Sequence, residues 1–206
     1  MQNIKAKNFL FLFSLIIPLN FNIFASIFHQ NLYASDLTIK TILLKKINEK
    51  YQNNDFKGVI KDYDKYIELD PKNPEAYGNR AFIKMKLEDY RGAIKDYGKA
   101  IKLSSNRFLD PNKYWEGRSL AKFYLDDYRG GLNDIDKAIQ MKPGDNRAKY
   151  IKGMILHAKG KKKRACILIR ESFDVMEISP WTYAYGEKKQ TYDDVITFLI
   201  NKCKEI

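Results

Sequence analysis

Apolar positions along this chain recur at spacings of three and four, interrupted by short polar turns, and the interruptions are themselves periodic. Residues 74–107 show the pattern best. Two short amphipathic helices are predicted there, joined at Leu87-Glu88-Asp89-Tyr90, and the second places Ala93, Tyr97 and Ala100 on one face. Phe56, Tyr63 and Leu69 lie 34 residues before Tyr90, Tyr97 and Leu103; Tyr128, Ile135 and Met141 lie 38 residues after them. A two-helix unit repeating near 34 residues is the signature of a solenoid, in which each unit buries its apolar face against its neighbours.

Four units follow from this phase, over 40–73, 74–107, 112–145 and 146–179. In the first, Asp55 caps a helix whose buried stripe is Val59, Tyr63 and Ile67, and Asp70-Pro71 ends it, because the residue before proline leaves the helical region. Phe108-Leu109-Asp110-Pro111 is an insertion that either lengthens the preceding helix or bulges the turn. The fourth unit keeps Gly153, Gly160, Ala165, Ile169 and Ser172 in phase but carries Lys162 where Tyr90 and Tyr128 stand. Pro180 to Gln190 reads as a loop. A last helix from Thr191, with Val195, Ile196, Leu199 and Ile200 on one face, would cap the stack within 180–206.

These residues are where a family resemblance enters. Residues 40–179 resemble tetratricopeptide repeat (TPR) proteins, whose pattern runs W-x2-L-G-x2-Y in the first helix and A-x3-F in the second. Tyr77, Arg80, Ala81, Lys84, Ala93, Tyr97 and Ala100 match it in the second unit. Trp115, Arg118, Ser119, Lys122, Gly131, Ile135, Ala138 and Pro143 match it in the third. Arg80 and Arg118 replace the leucine, and Lys84 and Lys122 replace the tyrosine. The implied fold is all-α: a right-handed helical-hairpin solenoid of about four repeats plus a C-terminal capping helix.

The resemblance also implies a site. In TPR proteins the first helices line a concave groove that holds a peptide or a partner helix. The matching positions are Asn48, Tyr51, Asn79, Phe82, Met85, Lys113, Leu120, Phe123, Tyr150 and Met154, with His157 beside them. One TPR subclass grips a C-terminal carboxylate with two lysines, two asparagines and an arginine. Asn48, Asn79 and Lys113 fall on three of those places, but Leu44 and Gly117 stand where a lysine and the arginine belong. The expected function is a non-catalytic interaction scaffold with a protein or peptide partner and no cofactor.

Composition narrows this further. The formal charge is +12, which draws the chain toward anionic surfaces. Lys159, Lys161, Lys162, Lys163, Arg164 and Arg170 form the densest run; the alternative function is a basic adaptor docking there on an anionic envelope or membrane surface. Two histidines exclude chemistry built on several of them, and no Gly-rich strand-to-helix turn offers a phosphate cradle. No metal site is expected. Asp126-Asp127 and Asp193-Asp194 are sequence neighbours, which point apart on a helix and do not suit acid/base catalysis.

The N-terminus differs from the rest. Lys5 and Lys7 precede an apolar run from Phe9 to Ile17, broken at Pro18: the build of a secretory signal peptide cleaved after Ala25 or Ala34, or else of an uncleaved anchor, within 1–34. Either places the body outside the cytoplasm, periplasmic or secreted, and argues against nucleic acid as partner. The two cysteines, Cys166 and Cys203, would pair there if their helices pack together.

Overall fold

The computed structural model describes residues 37–105 and 110–173, which form eight helices and no strand. The leader, the 180–206 segment and residues 108 and 109 of the insertion lie outside the described residues. Helix α1 covers 37–52; α2 is Phe56–Leu69, α3 Pro74–Lys86, α4 Tyr90–Ser105, α5 Asn112–Tyr124, α6 Tyr128–Met141, α7 Asn146–Ala158 and α8 Lys162–Phe173. The chain divides into two compact units, 1–46 and 47–206. The described part of the first is the start of α1; α2 to α8 belong to the second.

Local chemistry sets the helix ends. Asp55, Asp89 and Asp127 each accept from the amide three residues on, at Gly58, Gly92 and Gly130, at 2.9 Å. A Cβ at any of these glycines would overlap the capping carboxylate, so Asp-x-x-Gly works as one device. Just before each cap the backbone turns left-handed, at Asn54 (φ 57°), Glu88 (60°) and Asp126 (59°). Gly160 (75°) holds this place in the fourth hairpin, where Lys161, which has no acceptor, replaces the aspartate. Asn73 and Asp145 cap α3 and α7. At α5 the Asp110 carboxylate accepts from the Asn112 amide at 2.8 Å. Helix α4 runs 16 residues against 14 for α2 and α6, so part of the extra length before α5 is helical.

From α2 to α8 each helix packs on the next, and the first helices also touch one another, α3 on α5 and α5 on α7. Small residues make this close approach possible: Ala81, Ala93, Ala100, Ala121, Ala138, Ala148 and Ala165 are fully buried. The expected stripes Val59-Tyr63-Ile67 and Ala93-Tyr97-Ala100 are buried as the periodicity requires. Tyr114 lies over Gly78 and Tyr97 over Gly117, and a Cβ at either glycine would collide with the ring. In the third hairpin Ser119 takes the place of Ala81 and donates to the Gly131 carbonyl at 2.9 Å.

Candidate functional site

The first helices contribute the expected groove residues at three depths. Asn48, Asn79 and Lys113 are exposed; Tyr51, Phe82, Phe123 and His157 are half-buried. Met85, Leu120, Tyr150 and Met154 are buried and belong to the core shared by α3, α4, α5, α7 and α8. They are packing residues, a correction to the groove expectation. The reason is that they share one cluster with Ala93, Tyr97 and Ala100 of α4 and Ile169 of α8, so second helices as well as neighbouring first helices cover them. What remains accessible is a polar edge above partly covered aromatic rings.

The carboxylate-clamp positions do not assemble. Gly117 is where the arginine would stand, and the Tyr97 ring already occupies the space of its side chain. Lys113 faces Glu75 at 3.6 Å, and Asn79 lies against the Tyr63 hydroxyl, whose pKa burial pushes up. Leu44 is an exposed apolar residue.

At the groove floor between α5 and α7 lies a polar cluster that sequence reading missed. Glu116, only 3 % exposed, accepts from Asn112 Nδ2 at 2.8 Å and faces Arg147 Nε at 3.3 Å. Asn112 Nδ2 also donates to Asp145 at 3.1 Å, while its buried Oδ1 has no partner. Burial pushes the Glu116 carboxyl up to about 7; Arg147 and Lys142 oppose the rise and Asp145 adds to it. The neighbouring Tyr114 hydroxyl is pushed up to about 12 by burial and Glu75.

A second arrangement explains the departures from the repeat pattern. Arg80 clasps the buried Asp96 through Nε at 2.8 Å and Nη2 at 2.7 Å, and Lys84 adds a third bond at 2.8 Å. Arg118 and Lys122 hold Asp134 in the same way, at 2.8, 2.9 and 2.7 Å. Lys50 meets Asp62 at 2.5 Å. The basic residues that replaced leucine and tyrosine are therefore one half of an ion cluster whose other half is an aspartate on the second helix. The signal was available: Asp62, Asp96 and Asp134 stand at one phase, each just before a core residue. Beside each of the two arginine clusters lies the aromatic at the fourth position of the first helix. Arg118 and Lys137 lie over Trp115 at 4.7 and 4.6 Å from its centroid; Arg80 and Lys99 lie over Tyr77 at 5.6 and 6.0 Å.

Lys159, Lys161, Lys162, Lys163, Arg164 and Arg170 are all exposed. Three of them open α8, with no acidic residue in its first turn, an unfavourable placement at the positive end of the helix dipole. Cys166 is buried in α8 and disulfide-bonded; the other cysteine, Cys203, lies outside the described residues. Among the described residues no helix is long and apolar enough to cross a membrane. No cluster of three metal-ligating side chains occurs among them either.

Comparison with known proteins follows this geometry. Residues 62–95 match the family model described as tetratricopeptide repeat. No curated protein matches the chain in sequence. Among solved structures, MamA is similar with a TM-score of 0.61 at 19 % identity, over 81 % of this chain and 91 % of that one. MamA from Desulfovibrio magneticus RS-1 (residues 41 to the end) gives 0.61 at 13 %, over 81 % and 94 %. The second TPR domain of human RPAP3, in complex with the HSP70 peptide SGPTIEEVD, gives 0.53 at 22 %, over 58 % and 97 %. These likenesses establish the all-α TPR-type solenoid fold.

Proposed function

We propose that this chain, a helical-hairpin solenoid carrying a tetratricopeptide repeat, is a non-catalytic scaffold that binds a peptide or protein segment along its first helices, outside the cytoplasm. One observation carries the reading. Asn48, Asn79 and Lys113 present exposed hydrogen-bonding groups above the half-buried rings of Tyr51, Phe82 and Phe123, a combination suited to an extended backbone with apolar side chains. The peptide held by the similar RPAP3 domain supports this mode of use. Because Gly117 cannot supply the clamp arginine, recognition here does not depend on a terminal carboxylate in the manner of that subclass. The leader and the disulfide at Cys166 support an oxidising compartment.

A photo-crosslinking amino acid placed at Asn79 or Lys113 should trap a partner in cells, while one at the exposed Asn133 of α6 should not. Equal trapping from Asn133 would overturn the groove. N-terminal sequencing of the purified chain reports the leader: a start after Ala25 or Ala34 is expected for a cleaved signal, and an intact Met1 in a soluble cytoplasmic fraction would refute export. A second reading, docking on an anionic surface through Lys159–Arg170, is favoured by the uncompensated cations opening α8. Replacing Lys161, Lys162, Lys163 and Arg164 by glutamine would abolish partner binding under that reading and spare it under the first.

A further inference from the structure

The ion clusters have a second tier, and one rung of it is missing. The first-helix cation of each hairpin reaches back to the second helix of the preceding one. Arg80 Nη1 takes Asp64 at 2.6 Å, and Lys152 takes Asp136 at 2.6 Å. Arg118 holds the same place between them, and the residue in phase with Asp64 and Asp136 is Gly98. Nη1 of Arg118 stands 3.4 Å from where a Cβ on Gly98 would lie, and among the described residues no carboxylate meets it, while Nε and Nη2 hold Asp134.

Gly98 itself lines a cleft of about 460 Å³, together with Tyr77, Arg80, Lys95, Asp96, Lys99 and Lys102, and Arg118 Nη1 lies next to it across the Cβ position. Asp96, the acid of this cleft, is already bound by Arg80 and Lys84. Lys95 and Lys99 are exposed at its rim, and none of the groove positions lines it. We propose that this cleft binds a carboxylate side chain of an acidic protein segment. The incoming oxygen takes the place of the missing aspartate on Arg118 Nη1, and Lys95 and Lys99 hold the flanking acids. Carboxylate is the favoured chemistry because the two sister positions are filled by carboxylates in the same geometry. Charge-assisted bonds to a guanidinium already oriented by Asp134 lose little freedom on binding. The site is independent of the groove and would let the chain hold a second segment.

The test uses the full chain and a fluorescein-labelled oligoglutamate peptide followed by anisotropy. The unmodified protein should bind saturably and more weakly at higher salt. Gly98→Asp supplies the missing rung from within: it should weaken the peptide about tenfold or more, the loss of a charge-assisted bond, while Tm holds or rises. Gly98→Ala, for which there is room at 3.4 Å, should leave binding unchanged. If Gly98→Asp fails to fold, the Lys95→Gln/Lys99→Gln pair decides, and should show the same loss. Unchanged peptide affinity in Gly98→Asp and in the lysine pair would overturn the proposal. So would a loss that follows glutamine substitution of Lys161–Arg164 instead. Competition separates the anions: succinate should displace the peptide, and displacement by inorganic phosphate with none by succinate would refute the carboxylate assignment.

Discussion

Glu116→Gln should stabilise the protein, and do so only above mildly acidic pH. The carboxyl lies between α5 and α7 with its proton affinity raised from 4.5 to about 7, chiefly because burial disfavours its charge. Between those values the folded chain binds a proton that the unfolded chain has released, so stability falls as pH rises through the window and is level above it. Ionised Glu116 therefore costs the folded state about 3 kcal/mol at neutral-to-alkaline pH. Arg147 at 3.3 Å, with about a third of its side chain exposed, does not offset that cost. Glutamine keeps the shape and, with its oxygen toward Asn112 Nδ2, keeps that hydrogen bond while burying no charge. Urea denaturation at about pH 4.5, 6, 7 and 8 measures both proteins. The advantage of the variant should be near zero at the lowest pH and grow to about 3 kcal/mol at the highest. An advantage that does not change with pH would refute the burial argument. A variant less stable than wild type at pH 8 would show that the Arg147 pairing outweighs desolvation.

Other outcomes follow from features on the same helices. Asp134→Ala leaves Arg118 and Lys122 without their buried acceptor and should cost about 3–5 kcal/mol in chemical denaturation, whereas Asp136→Ala, at an exposed pair, should cost under about 1 kcal/mol. Glu88→Gly relieves a left-handed non-glycine turn and should raise stability by roughly 0.5–1 kcal/mol; no gain in Tm would mean its side chain contributes something the geometry does not reveal. Maleimide labelling of the denatured protein should find no thiol before reduction, and a free thiol at Cys166 would contradict the bond found there. Reduction should lower stability by about 2–4 kcal/mol.

The hairpins were legible because a solenoid writes its packing locally. A small residue and a large one recur at fixed phase, so Ala93, Tyr97 and Ala100 declare their burial without reference to anything distant. The groove was less legible because its positions serve two neighbours. Phe82 and Phe123 keep an accessible edge, but Met85 and Leu120, equally apolar in sequence, are enclosed in the core cluster shared with second helices. Nothing in the chain's local pattern distinguishes the two fates. The ion clusters were hidden for a different reason: Arg80 and Lys84 registered as losses from a pattern, since their acceptor lies 16 and 12 residues on. Glu116 was invisible because its partners Asp145 and Arg147 come from the next hairpin.

The last described hairpin differs from the others in how it would come apart. It has Leu168 where Asp62, Asp96 and Asp134 bind their cations, Leu156 where Lys84 and Lys122 reach across, and Lys161 in place of the capping aspartate. Helix α8 thus joins the array without the aspartate-centred ion cluster of the other hairpins, and three cations at its start oppose its own dipole. In an array whose members rely on nearest neighbours, opening begins at the member with the weakest interface. Amide exchange should therefore run fastest in α8 and proceed backward toward α5 and α6. The covalent bond at Cys166 is anchored in the very helix that would otherwise lift first, so its reduction should speed exchange there before anywhere else.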